Sequence, residues 1–120
     1  MPFAALAAFL LAAAVGLGAF GAHALKERLD AYSLGIWEKA VLYHFIHALG
    51  MLIVASLAKV RESTAEFVCW FLLAGILLFS GSLYMLALSG MRGLGAVTPF
   101  GGVAFIIAWG VLGWSLLRNS

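Results

Sequence analysis

Four long stretches without a charged residue limit what this chain can fold into. They cover residues 3–25, 40–58, 67–91 and 93–117. A helix needs about 20 apolar residues to cross the hydrocarbon region of a bilayer, and each stretch is close to that length. Inside a membrane the backbone must satisfy its own hydrogen bonds, which only helices and closed barrels achieve. The stretches lack the polar–apolar alternation of barrel strands, so they predict four transmembrane helices.

The composition indicates the same class. Hydrophobic residues make up 65% of the chain and charged residues only 10%, whereas roughly a quarter of a soluble domain is charged. Too few polar side chains remain to cover the outside of a water-soluble core. We therefore predict an all-α integral membrane protein, a single domain over residues 1–120 in which four transmembrane helices form a compact bundle. The predicted spans are 3–25, 40–58, 67–91 and 98–117.

The charges exclude some partners and say little about orientation. A net charge of +2, scattered along the chain, is too small for nucleic-acid binding, and the lone Cys69 excludes an internal disulfide and a cysteine-rich metal site. One side of the membrane would carry the termini with Lys59, Arg61 and Arg118, and the other would carry Lys26, Arg28, Lys39 and Arg92. Three positive residues against four give only a slight preference for a cytoplasmic first loop.

The longest polar connection mixes charged and apolar side chains, which predicts an amphipathic first loop at the membrane interface. Within it, Ser33 is expected to be the N-cap of the second helix. Tyr32, Trp37 and Lys39 are expected to anchor that end of the helix at headgroup level.

Three further signals predict helix ends. Residues 63–66 have the sequence of a capping box, which would start the third helix. Gly90 is expected to end that helix. Thr98 followed by Pro99 is typical of an N-cap with proline in the first turn, and so predicts where the fourth helix begins.

Two motifs in the first stretch point to functions that we reject. Residues 22–24 resemble a signal-peptide cleavage site, but no basic segment precedes them and the apolar run is too long. Residues 16–21 match the dinucleotide-binding fingerprint GxGxxG, yet they lie in an alanine-rich apolar helix and not between a strand and a helix. Small residues on one face (Ala14, Gly18 and Ala22) would instead let helices approach each other closely.

Polar residues concentrate in the half of the bundle nearest the first loop. With Lys39 at the interface and a rise of about 1.5 Å per residue, His44 lies roughly 8 Å and His47 roughly 12 Å deep. Other polar side chains fall at similar depths or on the same side of the membrane. The candidate polar pocket therefore comprises His23, Tyr43, His44, His47, Ser80, Ser82, Tyr84 and Thr98.

Three interpretations of the histidines stay open. His44 and His47 are spaced i, i+3 and share a helix face, so with His23 they could bind a metal or a haem. No HExxH motif or nearby cysteine supports that site, and no cofactor is expected. The histidines could instead hydrogen-bond across helices and lock the bundle. Ionisable groups inside a membrane also suggest a site for a proton or a small molecule.

The chain resembles a known family in four motifs that occur in order. These are residues 18–25, then Trp37 with residues 43–49, then residues 79–84, and finally residues 98–102. They are similar to the signatures of the small inner-membrane family of the YgdD/YwdK type, domain of unknown function 423, which has distant animal mitochondrial relatives. The resemblance implies a four-helix protein of the bacterial inner membrane, and it implies no activity.

The leading functional hypothesis is a non-enzymatic structural or accessory membrane protein. No carboxylate lies within the spans, so a catalytic triad would lack its acid. The alternative is binding or transport of a small molecule, a proton or a metal through the histidine-lined pocket. The bilayer is the expected partner, nucleic acid is excluded and no protein partner is identified. A homo-oligomer is an alternative, through small-residue faces such as that formed by Gly102, Ile106, Gly110 and Trp114.

Overall fold

The computed structural model of this chain contains four long helices, each long and apolar enough to cross a membrane. It describes residues 2–119 except the side chain of Ala22. The helices are α1 (Phe3–Leu25), α2 (Ala31–Ser56), α3 (Glu62–Ser89) and α4 (Thr98–Arg118), and the 3₁₀ turn Arg92–Ala96 precedes α4. No strand occurs within this described part. The all-helical prediction is confirmed, and the long dimension of 49 Å exceeds a hydrocarbon core of about 30 Å.

The second helix starts earlier than predicted. It begins at Ala31, whereas the predicted cap was Ser33 and the predicted span started at residue 40. Asp30 is its N-cap, because the Asp30 carboxylate accepts a hydrogen bond of 2.7 Å from the Ser33 backbone N–H. Ser33 as the N-cap was therefore wrong. Aspartate is as good an N-cap as serine, and Glu38 and Lys39 remain exposed on the helix surface. The segment that was predicted to be an amphipathic first loop thus largely forms the first turns of α2.

The third helix also starts early, its end follows the sequence signal, and α4 starts one residue before the position that its predicted N-cap implies. α3 begins at Glu62 and has no side-chain cap, so the predicted capping box at residues 63–66 was wrong: Ser63 is already inside the helix. Gly90 follows the last residue of α3 with φ 71°, the left-handed conformation that glycine tolerates best. Thr98 is the first residue of α4, with Pro99 in its first turn, and the N-cap is Val97, so Thr98 as the N-cap was wrong by one residue.

Helices α1 and α3 each contain a π-helical segment, Gly16–Gly21 and Ile76–Ser80. Such segments insert an extra residue into an α-helix and often occur at functional sites. The first one packs closely on α2. A Cβ added to Gly21 would lie 2.8 Å from the Trp37 ring, and one added to Gly18 would lie 2.9 Å from the Val41 side chain. Two of the three glycines of the fingerprint-like motif, Gly18 and Gly21, therefore serve helix packing, whereas Gly16 has open space beside it.

The order of packing places α2 between α1 and α3, and α4 packs along α3. Aromatic rings of α4 fill two notches where neighbouring helices carry glycine. Trp109 lies on Gly50 of α2, and Phe105 lies on Gly75 of α3. Close approach at small residues is the usual way that membrane helices associate.

The interior differs between the two ends of the bundle. The end that carries the connection after α2 has an apolar core, whose members include Met51, Val54, Val68, Cys69, Leu72, Ile76, Ala108 and Leu112. The end that carries the first loop contains the buried Trp37, His44, Ser80 and Ser82. Large apolar side chains such as Phe9, Phe20 and Ile106 cover the outside, as expected for helices that face lipid. The polar interior is therefore confined to one half.

Candidate functional site

His44 and Tyr84 form the centre of the polar half. The His44 Nδ1 atom and the Tyr84 hydroxyl are 2.8 Å apart across the α2–α3 interface, and His44 is only 4% exposed. The Tyr84 ring also packs on the Trp37 ring, with 4.7 Å between their centroids. Tyr84 thus contacts His44 through its hydroxyl and Trp37 through its ring, and these two partners lie two turns apart on the same helix.

Trp37 joins α2 to α1. Its indole N–H donates a hydrogen bond of 2.9 Å to the backbone carbonyl of Leu17, which lies in the π-helical segment of α1. Trp37 was predicted to anchor the helix at headgroup level. It is only 4% exposed, so its ring packs inside the bundle and not on the outer surface. Tyr32 and Lys39, the other two predicted anchors, are exposed.

Two serines continue the hydrogen bonds to α3 and α4. Ser80, fully buried in the π-helical segment of α3, donates a hydrogen bond of 2.7 Å to the Ala40 carbonyl of α2. Ser82 lies within 3.0 Å of the Phe79 carbonyl and within 2.6 Å of the Thr98 hydroxyl, at the start of α4. With the Trp37 and His44 contacts, these bonds join α1, α2, α3 and α4 in sequence. We call this set the interhelical network.

His47 lies in a different environment from His44. Its Nδ1 atom is 2.8 Å from the Tyr43 carbonyl of its own helix, and a carbonyl can only accept, so Nδ1 carries the proton. The ring stacks on Phe105 of α4, with centroids 3.4 Å apart and planes inclined by 10°. Tyr43 packs on Phe79 of α3 at 4.4 Å. His47 therefore belongs to an aromatic cluster beside α4.

The predicted pocket residues thus do not line one common pocket. His44 contacts Tyr84 and His47 contacts Phe105, so the shared helix face does not bring the two imidazoles to one site. His23, near the end of α1, is exposed. No group of three or more histidine, cysteine, aspartate or glutamate side chains that could hold a metal ion occurs in the described part of the chain. The weak metal candidates His23, His44 and His47 do not converge.

One buried polar atom is left over. The Nε2 atom of His44 is buried and has no hydrogen-bond partner, the one such side-chain atom found across residues 2–119. The backbone of Leu10 in α1 is close enough to interact with the imidazole, but the geometry does not reach that of a hydrogen bond. An unpaired buried polar group costs roughly 1–3 kcal/mol, so this atom is the weak point of an otherwise paired interior.

Among the cavities of the described part, three lie near the two ends of the bundle, and none of these three is lined by a predicted pocket residue. The largest of these three, about 550 Å³, lies between the start of α2 and the end of α3 and is lined by residues that include Asp30, Tyr32, Ser33 and Arg92. The other two, of about 250 and 240 Å³, lie at the opposite end, beside the start of α3. Apart from His23, which is exposed, the predicted pocket residues contact one another, neighbouring rings or backbone carbonyls.

Sequence reasoning did not identify which backbone carbonyls accept hydrogen bonds in the network. The acceptors of Trp37 and Ser80 are the carbonyls of Leu17 and Ala40, which no side-chain pattern can indicate. Glycine at positions 16, 18 and 21 was the available signal for an irregular helix in α1. The segment Ile76–Ser80 contains no glycine and has only the single glycines Gly75 and Gly81 at its two ends.

Comparison with known proteins defines the family. The family model described as "Protein of unknown function (DUF423)" matches residues 17–102. This chain belongs to the DUF423 family. The match runs from the π-helical segment of α1 to the first residues of α4, so every residue of the interhelical network lies inside it. The resemblance found in the sequence motifs is confirmed.

Relatives of this DUF423 protein are bacterial membrane proteins. The UPF0382 membrane protein YwdK of Bacillus subtilis is 50% identical over 98 residues, which cover 80% of each chain. A UPF0382 membrane protein of Staphylococcus epidermidis is 50% identical over 99 residues, 82% of this chain and 81% of the relative. One of Staphylococcus saprophyticus is 49% identical over 96 residues, 80% of each. No solved structure matches the chain. The protein is therefore an integral membrane protein of a family whose function is unknown.

Proposed function

We propose that this protein is a non-enzymatic structural or accessory component of the membrane. In this role, the interhelical network holds the four helices in one arrangement, and the outer faces of the bundle meet lipid or a partner. The network binds no metal, haem or other cofactor. Nucleic acid is not a partner, because the charge of the chain is low and scattered.

The observation that carries the proposal is the continuity of the hydrogen bonds from helix to helix. Trp37 bonds to α1, Ser80 bonds to α2, and Ser82 bonds to Thr98 of α4. Hydrogen bonds between membrane helices contribute on the order of 1 kcal/mol each. A polar interior whose hydroxyl and indole groups are already paired favours a structural role over a binding pocket.

The location that we propose is the bacterial inner membrane. The relatives at about half identity are bacterial membrane proteins, and helical spans are typical of that membrane, whereas outer-membrane proteins are β-barrels. The face of α4 that contains Ile106, Gly110 and Trp114 is exposed. This face is available to lipid or to a second copy of the chain.

The test compares stability with bound ligand in a single preparation. His44→Ala/His47→Ala is expected to lower the resistance of the purified protein to unfolding in detergent, without changing its metal or small-molecule content. Leu42→Ala/Leu49→Ala is the matched control, because both leucines are exposed on the same helix. Elemental analysis and small-molecule mass spectrometry measure the content. Stoichiometric metal or haem that is present in the wild type and lost from the histidine variant would overturn the proposal.

A second candidate function rests on the unpaired Nε2 atom of His44. A buried imidazole nitrogen without a partner is where a proton or a small polar molecule would bind inside the membrane. This alternative is the binding or transport of such a species next to α1. It predicts that His44→Gln changes ligand retention or proton flux in proteoliposomes, while the structural proposal predicts a change in stability alone.

A further inference from the structure

A basic cleft lies at the end of the bundle opposite the interhelical network. It is formed between the first turn of α3 and the last turns of α4, and its volume is about 240 Å³. Its lining residues are Arg61, Thr64, Val111, Trp114, Ser115, Arg118 and Asn119. No residue of the interhelical network contributes to this lining, so the cleft needs an explanation of its own.

The cleft carries positive charge that nothing in its lining neutralises. Arg61 and Arg118 both line it, no carboxylate does, and neither guanidinium makes a hydrogen bond or an ion pair with another described residue. The nearest acidic residues in the sequence, Glu62 and Glu66, line a different cavity together with Phe3. Two unpaired guanidinium groups in one concave site favour an anionic ligand.

The remaining polar groups of the cleft are suited to a phosphate. The hydroxyls of Thr64 and Ser115 are partly buried and have no partner among the described residues. The Asn119 amide donates a 3.4 Å hydrogen bond to the Lys59 carbonyl, which holds the end of α4 against the connection before α3. Guanidinium groups bind phosphate oxygens through paired, charge-assisted hydrogen bonds, and hydroxyls can donate to the remaining oxygens.

The position of the cleft favours a lipid as the source of that phosphate. Trp114 lines the cleft and is 63% exposed, and tryptophan near the end of a membrane helix is typical of headgroup level. Val111 lies one turn closer to the bilayer centre and gives the cleft an apolar wall where an acyl chain would begin. We infer that this cleft binds the phosphate of an anionic glycerophospholipid. The inference does not depend on the function proposed for the network.

The test is native mass spectrometry of the full-length protein in micelles that contain equal amounts of phosphatidylglycerol and phosphatidylcholine. The wild type is expected to retain phosphatidylglycerol in preference. Arg61→Gln/Arg118→Gln should lower that preference about tenfold, the effect of losing roughly one charge-assisted hydrogen bond. The control Arg28→Gln/Arg92→Gln removes the same charge from exposed positions at the other end of the bundle and should leave the preference unchanged. Equal losses in both double variants would overturn the inference.

Two further experiments complete the test. One distinguishes a specific site from general electrostatic attraction, and the other distinguishes a lipid from a free phosphate ion. Arg61→Lys/Arg118→Lys keeps the charge but loses the planar donor pair, so retention should fall towards that of the glutamine variant; retention equal to the wild type would overturn the inference. Inorganic phosphate added at millimolar concentration should not displace phosphatidylglycerol if the lipid is the ligand. Phosphate binding without any lipid preference would confirm the phosphate chemistry and overturn the lipid as its source.

Discussion

The backbone of Phe79 in α3 lies directly against Gly101 in α4, and a methyl group at position 101 would overlap with it. Because a backbone cannot move aside as a side-chain tip can, Gly101→Ala should force α3 and α4 apart. We expect a loss of about 1–3 kcal/mol in the free energy of unfolding, measured by denaturant titration in mixed micelles.

Gly110→Ala is the matched control for that substitution. Gly110 lies in the same helix, and nothing stands within 4 Å of an added Cβ. Alanine has the higher helix propensity by about 1 kcal/mol, so this variant should equal or exceed the wild type in stability. Equal destabilisation by both substitutions would mean that the α3–α4 contact is not as close as described.

The His44–Tyr84 hydrogen bond should appear as a coupling energy. Tyr84→Phe removes the hydroxyl and keeps the ring that packs on Trp37, while His44→Ala removes the other partner. In a double-mutant cycle the two effects should be coupled by about 1 kcal/mol. Tyr32→Phe serves as the control, since Tyr32 is 76% exposed, and additive effects of the paired substitutions would contradict the bond.

Trp37 should contribute more to stability than the exposed tryptophan of α4. Trp37→Phe leaves the Leu17 carbonyl without its side-chain donor and removes part of a buried ring. We expect a cost of roughly 1–3 kcal/mol, measured by the same unfolding titration. Trp114→Phe, at a position that is 63% exposed, should cost much less, and a reversed order would refute the placement of Trp37 between α1 and α3.

The start of α2 should respond to acid. The hydrogen bond from Ser33 lowers the pKa of Asp30 below its ordinary value of 3.8. A lowered folded-state pKa means that the stabilisation is fully present above the ordinary value and is lost as the pH falls through the lowered one. The wild type should therefore lose stability below about pH 4 relative to Asp30→Asn, which caps the helix without a charge, as followed by thermal unfolding at several pH values.

A pH-independent difference between those two proteins would contradict the role of the Asp30 carboxylate. Asp30 is exposed, so water and salt screen the effect and the difference should be small. Asp30→Ala removes the cap at every pH and supplies the reference for a helix that starts without it.

The transmembrane spans follow from the sequence because the requirement behind them is simple. An apolar run of sufficient length has no better place than the bilayer, and α1 was therefore predicted at its observed limits, residues 3–25. The predicted span of α2 started only at residue 40, after Glu38 and Lys39, and the predicted cap, Ser33, lies three residues beyond the observed cap. Charged side chains at a helix end can remain exposed while the backbone is helical, so charge marked the membrane surface and not the start of the helix.

The candidate site was only partly predictable. Helical rise alone placed His44 and Tyr84 at similar depths, and the structure joins them by a hydrogen bond. The separation of His47 from His44 depends on which neighbouring helix lies beside each side chain. The π-helical segment Ile76–Ser80 adds a second difficulty, because one inserted residue turns the side chains that follow it in α3, Tyr84 among them, by about 100°. In a uniformly apolar stretch, the spacing of hydrophobic residues does not reveal such a turn.

The two glycine notches that α4 fills also have a consequence for how the protein is made. Gly50 and Gly75 belong to helices that leave the ribosome before Trp109 and Phe105 do. Until α4 enters the membrane, both notches have no ring from their own chain to fill them, and lipid tails fit a narrow gap poorly. We therefore expect the packing of α2 and α3 to stay incomplete until α4 inserts during biosynthesis and its rings fill both notches.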